Sequence, residues 1–171
     1  MAPSRTPLAF EDFVAARGAA LLRTAWFLTG DHHRAEDLVQ TALAQAWLHW
    51  DGIDRDGTGS HMAYVRRVMV TTYAAWWRRR WNAEQPTAVL PDPAPWRDDP
   101  TDLRRDVLTA LARLPRGQRA VVVLRYFDDL TELQTAEVRG CSVGTVKSQT
   151  ARALAVLRRS PLLRDEGASH V

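Results

Sequence analysis

Apolar residues recur at helical spacing through most of the chain, and no segment alternates convincingly with period two. In the first stretch Leu8, Phe13, Ala16, Ala20, Leu21, Ala25 and Leu28 keep that spacing, and Gly30 ends the run. Asp31 can cap a second helix, whose apolar stripe is Ala35, Leu38, Val39, Ala42, Leu43, Ala46, Trp47 and Trp50. Residues 51–59 hold three glycines and three aspartates and predict a loop. Ser60 can then cap a long third helix to about residue 81, with Val65, Val68, Met69, Thr72 and Trp76 inward.

The second half predicts four shorter helices, over 101–114, 116–127, 131–138 and 143–159. Between the two groups, residues 85–101 carry five of the nine prolines. Proline lacks a backbone donor and restricts the residue before it, so this stretch reads as an extended linker. The pattern predicts an all-α chain: a three-helix N-terminal lobe and a four-helix C-terminal lobe, joined by that linker. Residues 161–171 are expected to fray.

Composition narrows the function classes. With 46% apolar and 25% charged residues among 171, the chain can bury a core and is not disordered throughout. No apolar run approaches the ~20 residues of a membrane span, and no signal-peptide core follows Met1. The lone Cys141 excludes an internal disulfide and a multi-cysteine zinc site, so a cytoplasmic setting is expected. Five histidines (His32, His33, His49, His61, His170) fall mostly at helix ends or loops, and only His32-His33 with Glu36 has near-helical spacing. No phosphate loop or nucleophile motif appears, so neither catalysis, metal nor cofactor is expected.

Charge placement says more than the net of +3. There are 22 arginines against one lysine, Lys147, and five of those arginines with a single acid lie between Tyr64 and Glu84. Tyr64, Tyr73, Trp76, Trp77 and Trp81 interleave with them. Rings that stack on bases beside cations that hold phosphates suit single-stranded nucleic acid. Trp76 also fits a core position, but Arg78, Arg79 and Arg80 spread around the helix and cannot all be buried.

The last two helices have helix-turn-helix form. Thr131 opens the first; Arg139-Gly140-Cys141-Ser142 is a tight turn in which Gly140 can supply a positive φ and Ser142 a cap. Gly144, Thr145, Ser148, Gln149 and Arg152, with Lys147 beside them, share the polar face of the second helix. Hydroxyls and cations suit phosphates, and a glutamine can read an adenine edge. Spacing alone fits an antiparallel helix pair with a solvated face equally well.

Two longer stretches resemble a known family. Ala35-Glu36-Asp37-Leu38-Val39-Gln40-Thr41-Ala42-Leu43-Ala44-Gln45-Ala46-Trp47 is similar to the second conserved region of sigma factors. Leu114-Pro115-Arg116-Gly117-Gln118-Arg119, continuing through Gly144-Thr145-Val146-Lys147-Ser148 and Ala151-Arg152-Ala153-Leu154, resembles their fourth. Two lobes and no other conserved region point to the extracytoplasmic-function group of the sigma-70 family, with wording like its actinobacterial branch.

The resemblance implies a promoter-recognition factor with a region 2 domain over 6–84, a linker over 85–100 and a region 4 domain over 101–160. Asp37, Gln40, Thr41 and Ala44 would dock on the β′ clamp helices of core RNA polymerase. His61, Tyr64, Arg67, Thr71, Trp77, Arg78, Arg79 and Arg80 would melt and hold the −10 element on the non-template strand. Thr131, Gly144, Thr145, Lys147, Ser148, Gln149 and Arg152 would enter the duplex major groove at the −35 element. Core polymerase, promoter DNA and an anti-sigma factor are the implied partners. Three positions depart from the pattern: Thr71 where asparagine is common, Gln149 where arginine is common, and Glu132-Leu133-Gln134 where small and acidic residues are common. The competing reading is a stand-alone helix-turn-helix regulator that dimerises on a palindrome.

Overall fold

The structure, a computed structural model, describes residues 7–53, 60–82 and 102–161. Among them all regular structure is helical: α1 (Pro7–Thr29), α2 (His32–Leu48), α3 (Trp50–Ile53), α4 (His61–Asn82), α5 (Asp102–Ala112), α6 (Arg116–Val122), α7 (Glu132–Arg139) and α8 (Val143–Arg158). The proline-rich linker, most of the expected loop and the tail lie outside the described residues. The described residues divide into two compact units, the first holding α1, α3, α4 and all but the first residue of α2, the second holding α5 to α8.

In the first unit α1 packs on α4. Leu21, Leu28, Leu38, Val65 and Met69 are fully buried, as the helical period predicts. Ala35, Ala42 and Ala46 of α2 are also fully buried.

Residues 51–53 differ from the expected loop. Gly52 and Ile53 both donate their backbone N–H to the His49 carbonyl, at 2.9 and 3.2 Å, and close the short helix α3. Its cause is tertiary. Trp50 is buried, edge-on to Phe10 and Phe13 of α1 at 4.9 and 5.2 Å between ring centroids. On its other side the His61 imidazole stacks at 3.8 Å, and His61 Nε2 lies 3.2 Å from the Trp50 carbonyl oxygen. Ser60 caps α4 as its position suggests, its hydroxyl accepting from the Ala63 N–H at 3.2 Å.

In the second unit α8 packs against α6 and α7 around Val121, Ala136 and Val146, with Cys141 and Val143 at the edge. The segment 116–127 is not one uniform α-helix. At Val123–Phe127 it widens into a π turn: the Asp128 N–H reaches back five residues to the Val123 carbonyl at 3.1 Å. Asp129 then adopts φ 54°, a left-handed conformation that aspartate tolerates better than most residues. Arg125 donates to the Leu130 carbonyl at 2.7 Å and ties the turn down.

Candidate nucleic-acid interface

Local chemistry builds the helix-turn-helix. Thr131 caps α7 through a reciprocal pair: its hydroxyl accepts from the Gln134 N–H at 3.1 Å, and its own N–H donates to Gln134 Oε1 at 2.9 Å. Gly140 sits at φ 64°, and the N–H groups of Cys141 and Gly140 return to the carbonyls of Ala136 and Glu137. That is a Schellman close, which glycine makes at little steric cost. Ser142 caps α8 by accepting from the Thr145 N–H at 3.1 Å. The Ser142 cap and the glycine turn lie where the sequence places them, whereas Thr131, read there as the first helical residue, is the cap of α7.

On α8, Gly144, Lys147, Ser148 and Arg152 are exposed and Thr145 is half-exposed; Thr131 is exposed at the start of α7. These residues share the surface beside the turn, linked across the two helices by Lys147 and Glu132 at 3.8 Å. Glu132 was not among the residues singled out by spacing, because an isolated acid in a basic surface carries no pattern of its own.

Gln149 lies on the expected face of α8, but its side chain is turned to a partner within the lobe. It is half-buried, and its Oε1 accepts a hydrogen bond from Arg139, which also donates to the Gly117 carbonyl at 3.1 Å. Burial pushes the Arg139 guanidinium below its ordinary value, an effect the nearby Cys141 opposes. Gly117 leaves the room this requires: a Cβ there would stand 3.0 Å from Gln149 Nε2. The glutamine is thus engaged within the lobe, joining α8, α7 and α6.

The basic helix α4 presents Arg67, Thr71, Arg78 and Arg79 exposed along its length. Tyr64 and Trp77 are half-buried; the Tyr64 ring stands 6.4 Å from His49, and Trp77 meets Tyr73 edge-on at 6.4 Å. His61, at the helix start, is held by Trp50. The Arg80 side chain lies outside the described residues. Trp76, expected inward, is half-buried and shares a cavity of about 320 Å³ with Trp77, Tyr73, Thr29, Arg34 and Asp37.

On α2 the four singled-out residues Asp37, Gln40, Thr41 and Ala44 are all exposed. Asp37 borders the aromatic cavity just described. Gln40 and Ala44 instead line a second groove, of about 570 Å³, with Phe10, Leu43 and Trp47. Leu48 stands 57% exposed on the same helix.

Family models place both lobes. The model described as Sigma-70 region 2 matches residues 13–83, and that for Sigma-70 region 4 matches residues 104–157. An RNA polymerase sigma-E factor of Streptomyces avermitilis is 44% identical over 161 residues, covering 92% of this chain and 88% of that protein. The chain belongs to the extracytoplasmic-function group of the sigma-70 family. A second member of that group, SigL of Mycobacterium tuberculosis, is 32% identical over 145 residues, covering 82% of this chain and 81% of SigL. Among solved structures, the sigma factor RpoE in complex with the anti-sigma factor NepR from Bartonella quintana superposes with a TM-score of 0.73 at 25% identity, covering 88% of this chain and 94% of that one.

This sigma factor directs RNA polymerase in promoter recognition and transcription initiation. The stand-alone regulator is set aside by the same findings. Among the described residues no helix is long and apolar enough to cross a membrane.

Proposed function

We propose that the surfaces described above divide the work of initiation as follows. Residues 6–84 form the polymerase-binding and −10 domain, and residues 101–160 the −35 domain. Asp37, Gln40, Thr41 and Ala44 of α2 dock on the β′ clamp helices, with the groove at Leu43 and Trp47 receiving apolar side chains of the partner. The start of α4, from His61 through Tyr64 and Arg67 to Thr71, takes a base extruded from the non-template strand. Trp77, Arg78, Arg79 and Arg80 hold the adjoining strand by stacking and phosphate contact.

Extruding a base costs a few kcal/mol, which stacking and phosphate contacts offset. Opening therefore runs on binding free energy and needs no catalytic group, so the protein is read as a non-enzyme, working in the cytoplasm. The helix-turn-helix docks in the major groove at −35, where Thr131, Gly144, Thr145, Lys147, Ser148 and Arg152 face the duplex. By analogy with RpoE, which is captured by NepR, an anti-sigma factor is the proposed regulatory partner.

The observation that carries this reading is the capped helix-turn-helix with Lys147, Ser148 and Arg152 exposed beside its turn. Run-off transcription from genomic promoter fragments with core enzyme tests it. Wild type is expected to initiate, and a Lys147→Ala, Arg152→Ala double variant to lose initiation while still binding core enzyme. Undiminished initiation by the variant overturns the assignment of α8.

A further inference from the structure

The surface that carries the exposed cations of α8 also carries an acid. Glu132 is the first residue of α7, fixed one position after the Thr131 cap, and its carboxylate lies 3.8 Å from Lys147 Nζ. Both side chains are open to solvent, 38% exposed for Glu132 and 66% for Lys147. An exposed ion pair of this kind adds little stability. A carboxylate on a phosphate-facing surface also weakens binding by repulsion, unless something in the groove donates to it.

The major groove offers two such donors, the amino groups of cytosine and adenine. The adenine amino group lies between two acceptors, its own N7 and the thymine O4, which repel a carboxylate on either side. The cytosine amino group has an acceptor on one side only, the guanine O6. That O6, with the neighbouring N7, is in turn the matching partner for an ammonium. Gln149, the amide on α8 suited to an adenine edge, is engaged by Arg139.

We propose that Glu132 and Lys147 act as one unit that reads a single C·G pair of the −35 element: Glu132 accepts from the cytosine amino group, and Lys147 donates to guanine O6 or N7. The proposal rests on the −35 reading of the helix-turn-helix given above.

The test is closed-complex binding by the full chain with core polymerase, on promoter fragments in which each −35 base pair is replaced in turn. Wild type is expected to lose about tenfold in affinity when one particular C·G pair is replaced, and Glu132→Ala to erase that loss while keeping every other preference. Glu132→Gln is expected to move the preference at that position toward adenine, whose N6 and N7 suit an amide. Far-UV circular dichroism confirms that both variants fold. If Glu132→Ala retains the wild-type preference at every position, or tightens binding equally on all fragments, the pair is only a surface contact and the inference is overturned. If wild type itself ignores every substitution in the element, the −35 reading fails, and the inference falls with it.

Discussion

Arg139 holds Gln149 from within the lobe, its guanidinium donating to the glutamine Oε1 while also donating to the Gly117 carbonyl at 3.1 Å. The partly desolvated cation gains from each acceptor, and removing one leaves donor capacity unmet. Gln149→Ala is therefore expected to lower stability by about 2 kcal/mol while leaving base preference at −35 unchanged. Gln149→Glu, which keeps an acceptor for Arg139, should recover most of the loss. Thermal melts and a promoter-library binding assay separate the two effects. An unchanged melt with a relaxed preference at one base would mean that the glutamine leaves Arg139 to read DNA.

Trp50 joins α1, α3 and the start of α4. Trp50→Ala should cost about 3–5 kcal/mol, the usual range for emptying a buried aromatic site. Denaturant unfolding measures this directly. The same variant should weaken −10 capture, because His61 loses the ring against which it stacks.

At the helix-turn-helix turn, Gly140→Ala forces a side chain into a left-handed position at φ 64° and should cost about 1–2 kcal/mol. Thr131→Ala, which removes the α7 cap, should cost about 1 kcal/mol. A shift of the unfolding midpoint at constant slope is the expected signature for both.

Much of this was legible because it is local. The caps at Ser60 and Ser142, and the glycine at 140, act through partners within about one helical turn, and residue order alone points to them. The short helix at Trp50 was not legible: three aspartates and three glycines read as loop, while its cause is the rings of Phe10, Phe13 and His61. Nor was the engagement of Gln149, whose partners are set by a carbonyl at Gly117 and a guanidinium at Arg139. Periodicity put Gln149 on the polar face correctly as a position; what its side chain does there is a tertiary matter.

Arg152 is exposed on α8, and under the proposed −35 docking its guanidinium would meet phosphate. Arg152→Ala should weaken binding about equally across promoter sequences and reduce the magnitude of the slope of log affinity against log salt by about one. A titration at several salt concentrations checks both.

Trp77 is half-buried beside exposed Arg78 and Arg79. Trp77→Ala should impair strand opening more than closed-complex formation, and a pre-melted promoter should restore its activity toward wild type. Equal activity of both proteins on duplex and pre-melted templates would remove Trp77 from the opening step.

The π turn at Val123–Phe127 gives the number of residues between α6 and α7 a meaning apart from their identity. Deleting one residue there would let a regular α-helix close, and everything beyond would rotate by about 100° about the helix axis. Substitutions in this stretch change packing by degrees, whereas a single deletion would aim α7 and α8 elsewhere. The chain's tolerance for change at this point is thus set by counting, and an in-frame loss of one codon should be more damaging than any conservative replacement of the same side chain.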